Sequence, residues 1–380
     1  MLPLDPLPPV AVGLVEVLRV PMRLSVPFRT ARGQGQERDV LLVHVRAAEA
    51  EGWAECPVEP APGYSAEFTD ATALALRDHV VPRVVGAPPD AIGDAVVVRS
   101  LLDGVRGHPT AVAALELAVL DAQLQAAGRA LADWLGATET SVRPGAAIGL
   151  HDDVDALLAE ADAALAAGAA RLRVKIAPGR AAKPLAAVRD HVGPNVTLQA
   201  DANGSFGELD AELDAVDELG LACLEQPLPP DDLLGHARLA ARLDTPICLD
   251  EPLTSLAAIE AAIELGACEV VCLKPARVGG WFAARAVHDR CAELGVPVWV
   301  GGMLETGVGR AANLAVAALP HLALPPDLDP RGRFDPDLAD PRLPQDGRVA
   351  VPTGPGTGGA PRSEALDGAQ VVGTWSLVSR

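Results

Sequence analysis

The sequence predicts an α/β protein: a barrel of alternating strands and helices, with an α+β cap assembled from both ends of the chain. Three observations predict it. From residue 145 onward, short apolar runs alternate with Ala/Leu-rich stretches of helical period, many closed by glycine. The ends of those apolar runs recur about every 25 residues. The first 125 residues lack this spacing and read as long strands followed by helices.

The cap comes first along the chain. "VGLVEVLRVPMRL" and "RDVLLVHVRAAEAEGWAEC" read as a small antiparallel sheet, and "SAEFTDATALALRDHVVPRVVG" as helix. Residues 1–125 are therefore expected to form the capping domain and 126–340 the barrel. Residues 341–380 are expected to return to the cap, with "GRVAVPTGPGTGG" supplying a last strand. Within the barrel, the strand candidates end at Gly149, Lys175, Asp201, Glu225, Asp250, Lys274, Gly301 and near Leu324. Evenly spaced strand–helix units favour a TIM-type (β/α)7-8 barrel over a doubly wound open sheet.

Composition excludes several function classes. The chain has 380 residues, 49% hydrophobic and 22% charged, as in an ordinary globular protein. Its formal net charge of −20 argues against nucleic-acid and anionic membrane partners. No apolar run reaches the roughly 18–20 residues of a spanning helix. The N-terminus carries Asp and Pro where a signal peptide would carry Lys or Arg, so a cytoplasmic protein is expected. The six cysteines (Cys56, Cys223, Cys248, Cys268, Cys272 and Cys291) show neither a CxxC pair nor zinc spacing, and are expected as buried thiols. The eight histidines form no HExxH motif.

The chemistry lies at the strand ends. In such barrels, active sites gather at the C-terminal ends of the strands. Here five consecutive strand candidates finish in Lys175, Asp201, Glu225, Asp250 and Lys274, each after an apolar run. Asp201, Glu225 and Asp250 would converge as an all-oxygen site for a hard divalent ion, Mg²⁺ first and Mn²⁺ as a substitute. The flanking lysines would face each other across it. An ammonium beside a cation and partly desolvated has its pKa lowered, which makes a neutral lysine available as a base. A substrate carboxylate on the metal, a lysine at its α-proton and an enediolate stabilised by the metal form one coherent reaction. Two positions earlier on each strand stand Arg173, Gln199, Cys223, Cys248 and Cys272, facing inward by alternation. Arg173 is placed to neutralise the carboxylates from beneath.

These motifs resemble a known family. "RVK" at 173–175, "DAN" at 201–203, "EQP" at 225–227, "DEP" at 250–252 and "KPARVGG" at 274–280 are similar to the muconate-lactonising subgroup of the enolase superfamily. "PFRT" at 27–30, "GYSAE" at 63–67, "VWVGGMLETGVGRAAN" at 298–313 and "VPTGPGTG" at 351–358 resemble, more narrowly, the o-succinylbenzoate synthase / N-acylamino acid racemase family. The resemblance implies Lys175 and Lys274 as acid/base residues and Asp201, Glu225 and Asp250 as Mg²⁺ ligands. It places Asn203 beside metal and substrate, Phe28 and Tyr64 as apolar walls on capping loops, and the backbone amides of Gly301, Gly302, Met303, Leu304 and Glu305 at the substrate's far end. The substrate would be a small carboxylate, without nucleic acid or membrane, and a homo-oligomer is expected.

The implied activity is o-succinylbenzoate synthesis by syn dehydration on the menaquinone route. N-succinyl- or N-acylamino acid racemisation is the alternative, followed by dipeptide epimerisation or cycloisomerisation; a silent binding barrel would have no reason to keep all five ionisable residues. The chain departs from the family pattern in places. Arg173 replaces the first lysine of Lys-x-Lys, Ala147 stands where many relatives carry serine, and Asp327 and Asp329 loosely match the Asp-x-Asp of dipeptide epimerases. "GPGTGG" at 354–359 fits GxGxxG only formally, because Pro355 interrupts it and no strand–turn–helix pattern surrounds it. Glu251 is turned away from Asp250 by alternation and is expected to pair with a neighbouring strand end.

Overall fold

A computed structural model describes residues 4–377. The cap is an antiparallel sheet of β1 (Val12–Thr30), β2 (Gly33–Ala47) and β3 (Glu51–Cys56). Its helices follow as α1 (Thr69–Ala75), a π-helical turn at Leu76–Val80, α2 (Val81–Val85), α3 (Pro89–Ile92) and α4 (Ala95–Leu102). The long α5 (Pro109–Ala126) and short α6 (Leu131–Leu135) lead into the barrel.

There, β4 (Ser141–Val142) is followed by β5 (Gly145–Ile148), α7 (Val154–Ala166), β6 (Arg171–Lys175), α8 (Ala182–Val192) and β7 (Thr197–Asp201). Then come α9 (Ala211–Asp217), β8 (Leu224–Glu225), α10 (Leu233–Ala240), β9 (Ile247–Leu249) and α11 (Leu256–Glu264). The series ends with β10 (Val270–Leu273), α12 (Trp281–Leu294), β11 (Val298–Val300) and α13 (Gly307–Ala317). The order β11-β10-β9-β8-β7-β6-β5 is a parallel sheet of seven strands in chain sequence, curled as a barrel wall. Side-chain caps start several of the outer helices: Asp153 for α7, Asp210 for α9, Asp232 for α10 and Ser255 for α11.

The structure corrects two expectations. No eighth ladder strand forms near Leu324. The segment 322–327 spans β11 and β5 instead through single bridges, Val298 with Leu322 and Gly145 with Asp327. Pro325 and Pro326 have no N–H to donate, so a continuous ladder is impossible there. The carbonyl of Pro326 still accepts from Gly145 N at 2.7 Å. Likewise, "GRVAVPTGPGTGG" does not reach the cap sheet. It forms β12 (Val349–Ala350), paired with β4. The strand that the tail does give the cap is β13 (Gln370–Ser376), antiparallel to β1. Among the described residues no helix is long and apolar enough to cross a membrane.

Helix α5 seats the cap on the barrel. Every residue from Thr110 to Leu124 is buried, so the helix has no solvent face. Gly52 of β3 lies directly on it; a Cβ there would sit 2.0 Å from the Ala118 carbonyl oxygen and 2.6 Å from Ala122 N. Two buried cap carboxylates reach the N-termini of barrel helices, where free N–H groups and the helix dipole favour negative charge. Glu116 of α5 accepts from Trp281 N at 2.7 Å, at the start of α12. Glu55 of β3 accepts from Thr306 Oγ1 at 2.7 Å and from Thr306 N and Gly309 N, both at 3.0 Å, at the start of α13.

Burial pushes the Glu55 carboxyl up to about 7, with nearby Glu305 adding to the rise and the Thr306 and Gly309 hydrogen bonds opposing it. This has a stability consequence of definite sign. Between its unfolded value of 4.5 and about 7, Glu55 holds its proton more tightly in the folded chain, so its contribution to stability falls as pH rises through that window. Glu55→Gln does not titrate, so its stability relative to wild type should improve from pH 4.5 to pH 7.5, by up to about 3 kcal/mol. Glu55→Ala, which orphans the donors of α13, should lose about 1–3 kcal/mol at pH 5. Urea unfolding at both pH values checks this; a pH-independent difference for Glu55→Gln would refute the assignment.

Candidate functional site

Parallel pairing in register brings the strand ends together. Lys175 lies beside Asp201, and Asp201 beside Glu225, as direct partners across β6, β7 and β8. Asp250 follows β9 and Lys274 follows β10. All five are buried, with Asp201, Glu225 and Asp250 wholly inaccessible. The two lysines stand on β6 and just beyond β10, with the three carboxylate-bearing strands between them.

Each lysine is tied to its neighbouring carboxylate. Lys175 Nζ donates to Asp201 Oδ2 at 2.5 Å and to Asn203 Oδ1 at 2.8 Å. Lys274 Nζ donates to Asp250 Oδ2 at 2.9 Å. Burial draws the Lys274 pKa down, but the adjoining Asp250 charge prevails and holds it above its ordinary value. Burial opposes ionisation of Asp201 too, yet Lys175 and Arg173 hold that carboxyl below the usual range. Glu225 goes the other way. Burial, together with the Asp201 and Asp250 charges, pushes it well up despite Arg173.

Beneath this layer Arg173 donates to Asp201 Oδ2 at 2.5 Å and Glu225 Oε1 at 3.0 Å, and also to Asp327. Gln199 Nε2 donates to Glu225 Oε2 at 2.6 Å. Cys223, Cys248 and Cys272 pack with Val270 and Trp299 as an apolar floor, and all six cysteines are free and buried. Gly301 has no room for a side chain: a Cβ would lie 2.4 Å from Cys272 Sγ and 2.8 Å from Lys274 Cε.

A cavity of about 560 Å³ opens above, lined by Lys175, Asn203, Asp250 and Lys274, by Phe28 and Tyr64 from the cap, and by the turn at Gly302, Met303, Leu304 and Glu305. Phe28 is half-buried, with the Arg333 guanidinium 4.8 Å from its ring centroid. Tyr64 is more than the apolar wall expected. Its hydroxyl donates to Asp250 Oδ2 at 2.8 Å and receives Lys274 Nζ at 2.5 Å. The expected turn amides are partly occupied as well: Gly302 N donates to Asp327 Oδ2 at 3.3 Å and Met303 N to Glu305 Oε2 at 2.8 Å. Asp327 and Asp329 offer little to a substrate amino group. Asp327 sits between Arg171 and Arg173, which hold it down to about 2 against burial, and Asp329 between Arg331 and Arg333. Glu251 accepts from Asn203 Nδ2 at 3.3 Å, next to the β7 end as alternation required.

Four residues went unnoticed in the sequence. Arg277 donates to Asp250 and to the Tyr64 hydroxyl, and burial lowers its pKa to about 9. It is three residues after Lys274 in "KPARVGG", a signal within reach. Gln226 accepts from Asp250 N at 3.0 Å through Oε1 and has φ +41°. Asn203 and Leu304, at φ +46° and +58°, share this left-handed conformation, so three strained non-glycine residues surround the site. Arg171 stacks 4.2 Å from the Trp299 centroid, and Arg310 lines the cavity. Nothing in local sequence distinguished these two from surface arginines.

The donor set fits a hard divalent ion. Three carboxylates on adjacent strands crowd enough negative charge to force Glu225 upward even with Arg173 in contact, and a cation would relieve that. The compact group of donor atoms found among the described residues is Glu225, Asp250 and Cys272, all within 4.8 Å. The Cys272 thiol is pushed well above its ordinary pKa by burial and by Asp250 and Glu225, which makes it a poor partner for such an ion. Asp201 is drawn aside by Lys175 and Arg173.

The chain is similar to known proteins along most of its length. Residues 14–136 match the family profile of the mandelate racemase / muconate lactonizing enzyme N-terminal domain, and residues 156–365 that of the enolase C-terminal domain-like fold. The chain is 44% identical to an N-succinylamino acid racemase of Amycolatopsis, over 95% of this chain and 98% of that one. It is 39% identical to an o-succinylbenzoate synthase of Geobacillus kaustophilus, over 89% and 90% of the two chains. A crystal structure of an enolase superfamily member from Listeria innocua superposes with a TM-score of 0.89 at 32% identity, covering 97% of this chain and all of that one.

Arg173→Met should strand Asp201, Glu225 and Asp327 as buried, under-compensated carboxylates. A loss of about 3–5 kcal/mol is expected in denaturant unfolding, with Arg173→Lys recovering part of it. Unchanged stability in Arg173→Met would mean that the carboxylates are balanced by other groups.

Proposed function

We propose a reaction for this chain, which belongs to the mandelate racemase / muconate lactonizing enzyme family of the enolase superfamily: removal of the proton next to a substrate carboxylate, assisted by Mg²⁺. The observation that carries the reading is the pair of buried lysines flanking three buried carboxylates at one mouth of the barrel. Asp201, Glu225 and Asp250 would hold the ion. When bound, Mg²⁺ supplies positive charge against the substrate carboxylate as the α-proton leaves.

The chain's own residues do the rest. Lys175 takes the α-proton on Nζ, positioned by Asn203 Oδ1. Tyr64 and Arg277 close over Asp250 and Lys274 and keep that side of the site from bulk water. In o-succinylbenzoate synthesis, the main reading, Lys175 returns its proton to the departing hydroxyl, which leaves as water. The charge of Lys274 then stabilises the substrate from the other side.

N-succinylamino acid racemisation is the second reading. Two lysines on opposite flanks favour it, since inversion needs a proton removed from one face and another returned to the other face. The relative at 44% identity supports it as well. Dipeptide epimerisation is disfavoured, because Asp327 and Asp329 are each held by two arginines.

Chelation should abolish turnover and Mg²⁺ or Mn²⁺ restore it, while Asp201→Asn, Glu225→Gln and Asp250→Asn should each weaken Mg²⁺ binding in calorimetric titration. Full turnover in metal-free protein would sink the reading. Lys175→Ala should abolish dehydration and also α-proton exchange in D₂O from one enantiomer of N-succinylphenylalanine, a loss of at least about 10²-fold by NMR. Lys274→Ala should retain that exchange and lose racemisation. Exchange from both enantiomers in Lys175→Ala would remove Lys175 from the role of base.

A further inference from the structure

Among the described residues, each lysine at the barrel mouth has two hydrogen-bond acceptors, one a carboxylate and one a neutral oxygen. Lys175 Nζ rests on Asp201 Oδ2 and on the Asn203 side-chain oxygen; Lys274 Nζ rests on Asp250 Oδ2 and on the Tyr64 hydroxyl, at 2.5 Å. The two neutral acceptors differ in origin. Asn203 belongs to the barrel, two residues beyond Asp201, and is fixed there: its N–H donates to Asp201 Oδ1 at 3.0 Å and its Nδ2 to Glu251 Oε1 at 3.3 Å. Tyr64 comes from the cap, on the loop between β3 and α1.

That loop is held at its two ends. Arg38 pairs with Glu59 at 3.1 Å and donates to the Val58 carbonyl at 3.2 Å, while Glu67 accepts from Thr110 N at 3.1 Å. Between them, residues 60–63 are exposed. Tyr64 is the loop's reach into the site. Its hydroxyl donates to Asp250 Oδ2 at 2.8 Å and accepts from Lys274 and Arg277, and both cations lie 4.9 Å from its ring centroid. A hydroxyl offers one donor and two acceptor sites, so all three are used. A divalent ion on Asp201 and Asp250 would compete with the lysines for those carboxylate oxygens, leaving the neutral oxygens to aim each Nζ. Arg277 also donates to the Asp250 carbonyl at 2.7 Å, so its place does not depend on Tyr64.

We propose that Tyr64 is a positioning residue for Lys274 alone, so that the cap loop controls proton transfer on one face of the substrate and not on the other. The inference rests on the proposed function and deepens it, because Tyr64 then sets the balance between the two faces. Racemisation needs both lysines and depends on the loop. A syn dehydration completed by Lys175 depends on it much less. Without the hydroxyl, Lys274 keeps its charge and its contact with Asp250 but loses the acceptor that fixes the direction of Nζ. A misplacement of about 1 Å at a proton-transfer distance costs up to about 10²-fold.

The chain has one tyrosine and three lysines, Lys175, Lys183 and Lys274, which makes two measurements selective. In the first, α-proton exchange in D₂O is followed by NMR for each enantiomer of N-succinylphenylalanine with Mg²⁺ present. The Lys274 face is defined by the enantiomer whose exchange Lys274→Ala loses. Tyr64→Phe, which keeps the ring, should shift the ratio of the two exchange rates at least tenfold toward the Lys175 face, and Tyr64→Leu should shift it as far. The ratio cancels any loss common to both faces, which is all that a damaged fold would give. In the second, ¹⁵N-lysine-labelled protein without substrate gives Nζ signals assigned from single lysine variants. Tyr64→Phe should move the Lys274 signal and leave those of Lys175 and the exposed Lys183 in place. An unchanged ratio in Tyr64→Phe would overturn the proposal, as would equal losses at both faces, a shift confined to Tyr64→Leu, or equal movement of the Lys175 signal. If wild type exchanges neither enantiomer while Tyr64→Phe moves the Lys274 signal alone, the reaction assignment fails and the positioning of Lys274 by the loop stands.

Discussion

The need to match the carboxylates buried at the strand ends organises this protein. Asp201, Glu225 and Asp250 have no solvent contact, and removing such groups from water costs several kcal/mol apiece unless opposite charge lies beside them. The chain answers with cations on several levels: Arg171 and Arg173 below, Lys175 and Lys274 at the flanks, Arg277 from the loop after β10. The match is deliberately uneven in its effect. Asp201 is held ionised while Glu225 is forced toward its neutral form, so the centre has room for further positive charge where substrate and ion would meet. Rigid strand ends carry these groups, and the same rigidity sustains the left-handed backbone at Asn203 and Gln226.

The cap is fastened by a related device. Its buried side chains Glu55 and Glu116 sit on the free N–H groups of α13 and α12, and α5 is buried on every face between sheet and barrel. Because α13 begins directly after the 302–305 turn, the carboxylate that anchors the cap also fixes the turn that lines the cavity. Cap and cavity are thus mechanically continuous, and a change in the strand carrying Glu55 reaches the cavity wall through one helix terminus.

Much of this was legible in the sequence because period and spacing are local signals. The recurring interval between apolar runs located seven of the strands and the five ionisable residues at their ends. It overreached at the eighth, where the apolar run "HLAL" is followed by two prolines that deny the ladder its donors. Alternation correctly turned Glu251 away from Asp250. What escaped depends on tertiary placement. Arg171, Arg310 and the Tyr64 hydroxyl acquire meaning only when segments more than a hundred residues apart meet, and no window along the chain contains both halves of such contacts. The same holds for the amides of the turn at residue 303, whose occupation by Glu305 and Asp327 is a matter of side-chain direction.

The pairing of β13 with β1 has a consequence for how the molecule is made. During synthesis β1 emerges more than three hundred residues before β13 exists, and its outer edge stays open through translation of the whole barrel. An exposed strand edge is an invitation to intermolecular pairing. The interval is one in which a chaperone, or crowding by neighbouring nascent chains, would decide between a monomer-like fold and aggregation. The final seven-residue strand works as a closing seam: the cap sheet is complete only when the barrel it covers has already been built.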